Sequence, residues 1–327
     1  MDFLEVFMSK KKEKNYKCKL LPYERIECLS VQDAQQHTGW GITAFDLPKT
    51  WLHTQGEGVK IAVIDTGCDL DHPDLKDNLL EGINYVTPGT PPEDDNCHGT
   101  HVTGILVAAN NDIGMVGVCP KAKVIPIKVL NSKGSGNLLD VAKGVTWAAD
   151  NGADIITMSL GSPMKVQQVR KAIQYAASKG VPTFVAAGNA GNTKEIFYPA
   201  NYPETISIGA IDEKFNRAKF SNTGQNLDFM APGVDIFSTV PDNWYATLSG
   251  TSMACPFAVG VAALVLSYVK NGKVKLKLDT AEDYREIFRK YTTKTSQIYH
   301  NPKFYEGFGI IDPRKMMESF EEPEVQS

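Results

Sequence analysis

Disulfide chemistry is the first thing this chain has little material for. Six cysteines in 327 residues (Cys18, Cys28, Cys68, Cys97, Cys119, Cys255) form no C-x-x-C pair and no dense spacing. That pattern excludes a small disulfide scaffold and predicts free thiols. An excess of charge is also missing. Lys and Arg total 34 against 38 Asp and Glu, a net charge of -4. A pI near 5.9 gives no reason to expect a nucleic acid or a membrane surface as partner. The His-Glu-x-x-His zinc signature is absent. No apolar run is expected to span a bilayer. The opening, MDFLEVFMSKKKEKNYKCKL, places too few apolar residues ahead of its lysines for a secretory core. Met8 as the start would leave a short basic tail. A cytoplasmic protein is predicted, and internal repeats and low-complexity segments are not evident.

What is present is a large core, with 42% hydrophobic residues, and a regular alternation. Strand-like runs at 59–64, 123–130, 154–160, 181–187 and 205–210 are separated by the helix-like stretches HGTHVTGILVAA, NLLDVAKGVTWAADNG and VQQVRKAIQYAASKG. The last two end on a glycine stop. This order predicts an α/β fold: a doubly wound, mainly parallel sheet with helices on both faces. Residues 1–35 are charged, glycine-poor and without strand or helix period, so they read as an N-terminal extension. Residues 36–317 form the domain, and 318–327 read as an acidic, disordered tail. Sites in such sheets form beyond the carboxyl ends of the strands, where Asp65, Gly161 and Asn189 fall.

In IAVIDTGCD (61–69) four apolar residues run into Asp65. A buried carboxylate needs a partner. A second Asp-Thr-Gly or Asp-Ser-Gly, which an aspartic protease requires, is absent. NCHGTHVTG (96–104) holds two histidines three apart. A zinc site there lacks further ligands, and the alternative is His98 as a general base oriented by a carboxylate. SGTSMACP (249–256) places Ser252 at a helix N-terminus, where N–H groups favour developing negative charge. The lipase elbow Gly-x-Ser-x-Gly fails at Ala254. Read singly, each residue has an ordinary structural role: N-cap serine, core histidine, turn asparagine.

The order Asp65, His98, Ser252 separates the subtilisin arrangement from those of chymotrypsin and the α/β-hydrolases. With AVIDTGCDLDHPDL, HGTHVTG, MSLGSP, AAGNAGN, YPANYPETISIGA, FSNTG, APG and GTSMACP, the chain resembles the subtilisin-like serine proteases from about Gln36 to Met317. Within them it is most similar to the intracellular subtilisins of bacilli. The resemblance implies a serine endopeptidase with Ser252 as nucleophile, His98 as base, Asp65 orienting it and Asn189 in the oxyanion hole. It implies that polypeptide substrates add as a strand between Gly134-Ser135-Gly136 and Ser159-Leu160-Gly161, with Phe197 a wall of the first specificity pocket. It implies a calcium site built from Gln36, Asp74, Ala109, Asn111, Ile113 and Met115. Phe257, where many relatives have His, is expected to face packing. Cys68, Cys97 and Cys255 are expected to be buried filler, with oxidation at the site as the alternative. LLPYERIE (20–27) is similar to the Leu-Ile-Pro-Tyr motif of intracellular relatives. Leu20, Leu21, Pro22 and Tyr23 would then block the groove, making the extension an inhibitory partner of its own domain. Homodimers occur among those relatives. The alternative functions are a dedicated leader-processing protease and a non-catalytic binding module on the same fold.

Overall fold

The computed structural model describes residues 16–22, 24–30, 36–191 and 195–321. In chain order the strands are β1 Lys17–Leu20, β2 Glu24–Ser30, β3 Lys60–Asp65, β4 Ile83–Asn84, β5 Lys123–Lys128, β6 Ser135–Asn137, β7 Ile155–Met158, β8 Leu160–Gly161, β9 Thr183–Ala186, β10 Thr205–Ile211, β11 Phe229–Pro232, β12 Ile236–Val240, β13 Trp244–Ser249, β14 Thr292–Thr293 and β15 Ile310–Ile311. The helices are α1 Trp40–Ala44, α2 Leu47–Thr50, α3 His98–Val107, α4 Leu138–Asp150, α5 Gln167–Ser178, α6 Thr251–Lys270, α7 Ala281–Lys290, α8 Pro302–Glu306 and α9 Pro313–Glu321.

The central sheet runs β14-β15-β11-β10-β9-β7-β3-β5-β4. It is parallel from β15 to β4, and β14 is an antiparallel edge. Its inner strands are buried on both faces, which is why they read as continuous apolar runs rather than alternating ones. The five predicted strands and three predicted helices are all present. Gly152 and Gly180 take φ of 79° and 78° just past α4 and α5. The two faces can be told apart by register. Val63 pairs with Thr157, and Thr157 Oγ1 lies 3.4 Å from Cys255 Sγ of α6. The next residue, Ile64, points the other way and packs with Ile127 beside Gly144 of α4. So α6 covers one face and α4 the other, as the doubly wound reading requires.

Three expectations need correction. Helix α6 is long and apolar enough to cross a membrane. Nearly all of it is buried inside the protein, so it is a core helix under the sheet. The acidic tail does not begin at Glu318. Helix α9 carries on to Glu321, because Phe320 stacks on Tyr268 with ring centroids 5.8 Å apart. β1 and β2 also lie within the extension, where the sequence shows no strand period. Neither strand belongs to the central sheet. β1 is the middle of the three-stranded order β6-β1-β8, and β2 the edge of β12-β13-β2.

Candidate active site

Asp65 ends β3 and is 1% exposed. Its Oδ1 accepts from Thr66 N at 2.8 Å and meets His98 Nδ1 at 2.8 Å. His98 is the first residue of α3 and is wholly buried. Two turns therefore have to approach closely. A Cβ on Gly99 would sit 2.1 Å from the Gly67 carbonyl, so only glycine allows β3 and α3 to bring acid and imidazole together. Sequence reasoning missed the residue that holds this junction. Asp94, itself buried, accepts from Thr66 Oγ1 (2.8 Å), Asn96 N (2.9 Å) and Cys97 N (3.1 Å) through one oxygen. Its other oxygen accepts from Thr100 N (2.9 Å) and Thr100 Oγ1 (2.6 Å). One carboxylate so satisfies orphan N–H groups at the start of α3 and ties them to the turn after Asp65. The second histidine of the motif does other work. His101 Nε2 lies 3.1 Å from the Ile236 carbonyl and 3.0 Å from that of Ala246, pinning α3 to β12 and β13.

Ser252 is the second residue of α6, so its N–H belongs to a first turn without intrahelical acceptors. Pro256 stands four residues on and has no N–H to give the Ser252 carbonyl. The hydroxyl of Ser159 fills that gap, donating to Ser252 O at 3.0 Å, while Ser252 Oγ donates back to Ser159 O at 3.2 Å. Helix α6 and the residue between β7 and β8 are thereby joined. Asn189 follows β9. Its Oδ1 accepts from Thr251 N (2.9 Å) and Thr251 Oγ1 (2.6 Å), which fixes the amide so that Nδ2 faces the cleft. Thr251, beside the serine, was also missed. Its signal was the small-residue turn into α6, which does not reveal a contact 62 residues away.

The chain's own extension lies between β6 and β8. β1 pairs antiparallel with β6 (Lys17 with Asn137, Cys18 with Gly136, Lys19 with Ser135) and with β8 (Lys19 with Gly161, Leu20 with Leu160). Leu20 N also donates to Gly134 O at 2.8 Å. Gly134 takes φ 64°, a conformation that side-chain-bearing residues rarely adopt, and its α-carbon lies against the Leu20 side chain. Leu21 is 1% exposed and lies against Gly161, where Phe197 also packs; the Phe197 ring reaches on to Gly188. Asn189 Nδ2 donates at 2.6 Å to the carbonyl of Pro22. Tyr23, the last residue of the proposed inhibitory motif, lies outside the described residues, as do residues 192–194 of the loop before Phe197.

Cys68, Cys97 and Cys255, the thiols near these residues, are all buried. Burial pushes the Cys255 thiol up to about 12 and the Cys68 thiol well above its ordinary value, so both stay protonated at neutral pH. Phe257 packs as expected, its ring 5.8 Å from that of Phe45.

The six residues of the expected calcium site do come together. Gln36 Nε2 is 3.0 Å from Ala109 O, and Asn111 Nδ2 is 2.9 Å from Asp74 Oδ1. Met115 N donates to Asp74 Oδ2 at 3.1 Å, Ile113 N to Asn111 Oδ1 at 3.3 Å, and His37 bridges to Met115. The donor set is one carboxylate, two side-chain amides and backbone carbonyls, the hard oxygen chemistry calcium takes. A half-turn of each amide would present its oxygen in place of its nitrogen. The residues fit the ion.

Comparison with known proteins agrees with this geometry. The family model described as the subtilase family (peptidase S8) matches residues 56–309. The intracellular serine protease of Paenibacillus polymyxa is 40% identical over 304 residues, 90% of each chain. Subtilisin E of Bacillus subtilis (strain 168) is 42% identical over 259 residues, 76% of this chain and 67% of that protein. The subtilisin of Bacillus pumilus is also 42% identical over 259 residues, 93% of its length. An acid–imidazole pair at the carboxyl edge of a parallel sheet, a serine opening a buried helix and this breadth of likeness have one reading: the chain belongs to the subtilase family and is a subtilisin-like serine endopeptidase.

Proposed function

We propose that the protein is a cytoplasmic endopeptidase acting on intracellular polypeptides and made as a zymogen, its cleft closed by residues 16–22 and 24–30. Ser252 Oγ attacks the scissile carbonyl carbon and passes its proton to His98 Nε2. Asp65 holds the imidazole through Nδ1 and stabilises its charged form. The oxyanion takes hydrogen bonds from Asn189 Nδ2 and Ser252 N, at the positive end of α6. Collapse of the adduct breaks the C–N bond, and His98 returns the proton to the leaving amine. Water, deprotonated by His98, then releases the acyl group from Ser252. A calcium ion held by Gln36, Asp74, Asn111 and the carbonyls of Ala109, Ile113 and Met115 would supply charge that ties the arm before α1 to the loop after α3.

The observation that carries the zymogen reading is a mismatch. Leu21 fills the pocket beside Gly161 and Phe197, yet the carbonyl on Asn189 belongs to Pro22. In a productive substrate the residue in that pocket supplies the attacked carbonyl. Pro22 fixes its own φ and restricts Leu21, which holds the strand one residue out of step. The name of the Paenibacillus relative supports the intracellular assignment.

A fluorophosphonate probe tests this directly. The full chain is expected to label slowly at Ser252 and to show a lag with a peptide substrate, and Pro22→Ala is expected to shorten that lag. Equal, lag-free labelling of both would refute the zymogen. Absence of labelling after the extension is removed would favour a binding module. Cleavage of few sites in a proteome-derived peptide mixture would favour a dedicated processing enzyme.

A further inference from the structure

The extension does not stop at the reacting centre. Past Pro22 it continues as β2, which pairs antiparallel along β13: Glu24 with Ser249, Arg25 with Leu248, Cys28 with Ala246, Leu29 with Tyr245 and Ser30 with Trp244, with one irregularity between Leu248 and Ala246. β13 ends at Ser249 and leads through Gly250 and Thr251 straight to Ser252. The geometry points to β13 as a long docking edge for the part of a polypeptide substrate that follows the cleaved bond. This inference rests on the zymogen reading above.

Three observations support it. First, β13 is an edge once β2 leaves, because the order is β12-β13-β2. An exposed strand edge is a row of unpaired N–H and C=O groups that takes up another extended chain. Second, the edge is held ready. β12 pairs with β13 along its length. His101 of α3 contacts the carbonyls of Ile236 and Ala246, and His72 Nε2 lies 3.3 Å from the Trp244 carbonyl. Ser249 Oγ accepts from Asp235 N at 2.8 Å and lies 3.2 Å from Asp235 Oδ1. A rigid acceptor strand loses little freedom on binding. Third, the far end carries an apolar anchor. Trp244 is 44% exposed even with β2 alongside, and it stands opposite Ser30. A substrate following the path of β1 and then β2 would bring an apolar side chain to this ring about nine residues beyond the pocket residue.

The test uses enzyme matured from the full chain by its own processing, with its new N-terminus read by mass spectrometry. Internally quenched peptides share their residues up to and just past the cleaved bond and extend two, four, six or nine residues beyond it. Four or so added ladder bonds are expected to raise kcat/KM by about tenfold or more between the shortest and the longest peptide, mainly through KM. N-methylation scanned along the longest peptide is expected to remove the gain at alternating positions, with one break near the irregularity. A flat length series overturns the inference, and so does a mature chain that retains residues 24–30. A full chain that turns over the shortest peptide without a lag would refute the zymogen reading, whereas a normal lag followed by a flat length series overturns the docking edge alone, so the two failures are distinguishable.

Discussion

Asn189 owes its aim to Thr251. With both donors of Thr251 on its Oδ1, the amide cannot turn its oxygen to the cleft without leaving two donors unpaired. Asn189→Leu is expected to lower kcat by about 10²–10³-fold, the size known for the oxyanion asparagine of subtilisin, its relative. Thr251→Val keeps the shape and the backbone donor but loses the hydroxyl. It is expected to lower kcat by roughly three- to tenfold with KM nearly unchanged, as loss of one hydrogen bond implies. Steady-state kinetics on one peptide separates the two variants; an unchanged kcat for Thr251→Val would remove its positioning role. Phe197 shares its pocket with Leu21. Phe197→Gly is expected to raise kcat/KM for aromatic residues at the cleaved position relative to alanine by about tenfold, as the volume gained in an apolar pocket allows. An unaltered ratio would exclude it as a pocket wall. At this scale the sequence was legible where a local motif carries a pairing, as with Asp65 and His98. Asp94 and Thr251 were not legible, because their meaning lies in partners brought near only by folding.

At the scale of elements, the inner strands were readable from their apolar runs, while β1 and β2 were not. KCKL and ERIECLS carry too much charge to read as buried strands. They exist because partner edges wait for them. The same holds for the C-terminal helix, hidden from sequence reading by its acidic residues and docked through Phe320. Its start is clasped by Asp312, whose carboxylate accepts from Arg314 Nε at 3.0 Å and Nη2 at 2.8 Å and from Thr293 Oγ1 at 2.8 Å. Burial disfavours the charge on Asp312, but Arg314 and Thr293 outweigh it and hold the carboxyl below the usual range. A depressed folded pKa contributes stability above the unfolded value, about pH 4, and loses it as pH falls through the folded one. Arg314→Met is therefore expected to destabilise by about 1–3 kcal/mol at pH 7, with the difference shrinking below about pH 4. Denaturation at several pH values measures it; a constant difference would assign the loss to packing alone.

For the molecule as a whole, the loop after α3, the arm before α1 and Asp74 form the joint where an ion would bear on global stability. Removing calcium with a chelator is expected to lower Tm, and restoring it to raise Tm in a concentration-dependent way. Asp74→Asn is expected to abolish that dependence. A Tm indifferent to chelator in the unsubstituted protein would exclude the site. β1 and β2 belong to the same chain as the cleft that, on the proposal above, they close. A tethered blocker competes at an effective concentration on the order of millimolar, however dilute the solution. Severing one peptide bond between Ser30 and Gln36 would turn it into a free fragment at the bulk concentration of the protein, where it would no longer compete. On the zymogen reading proposed above, such a latch would open once and not reset, so control would lie in the timing of a single scission rather than in the amount of protease.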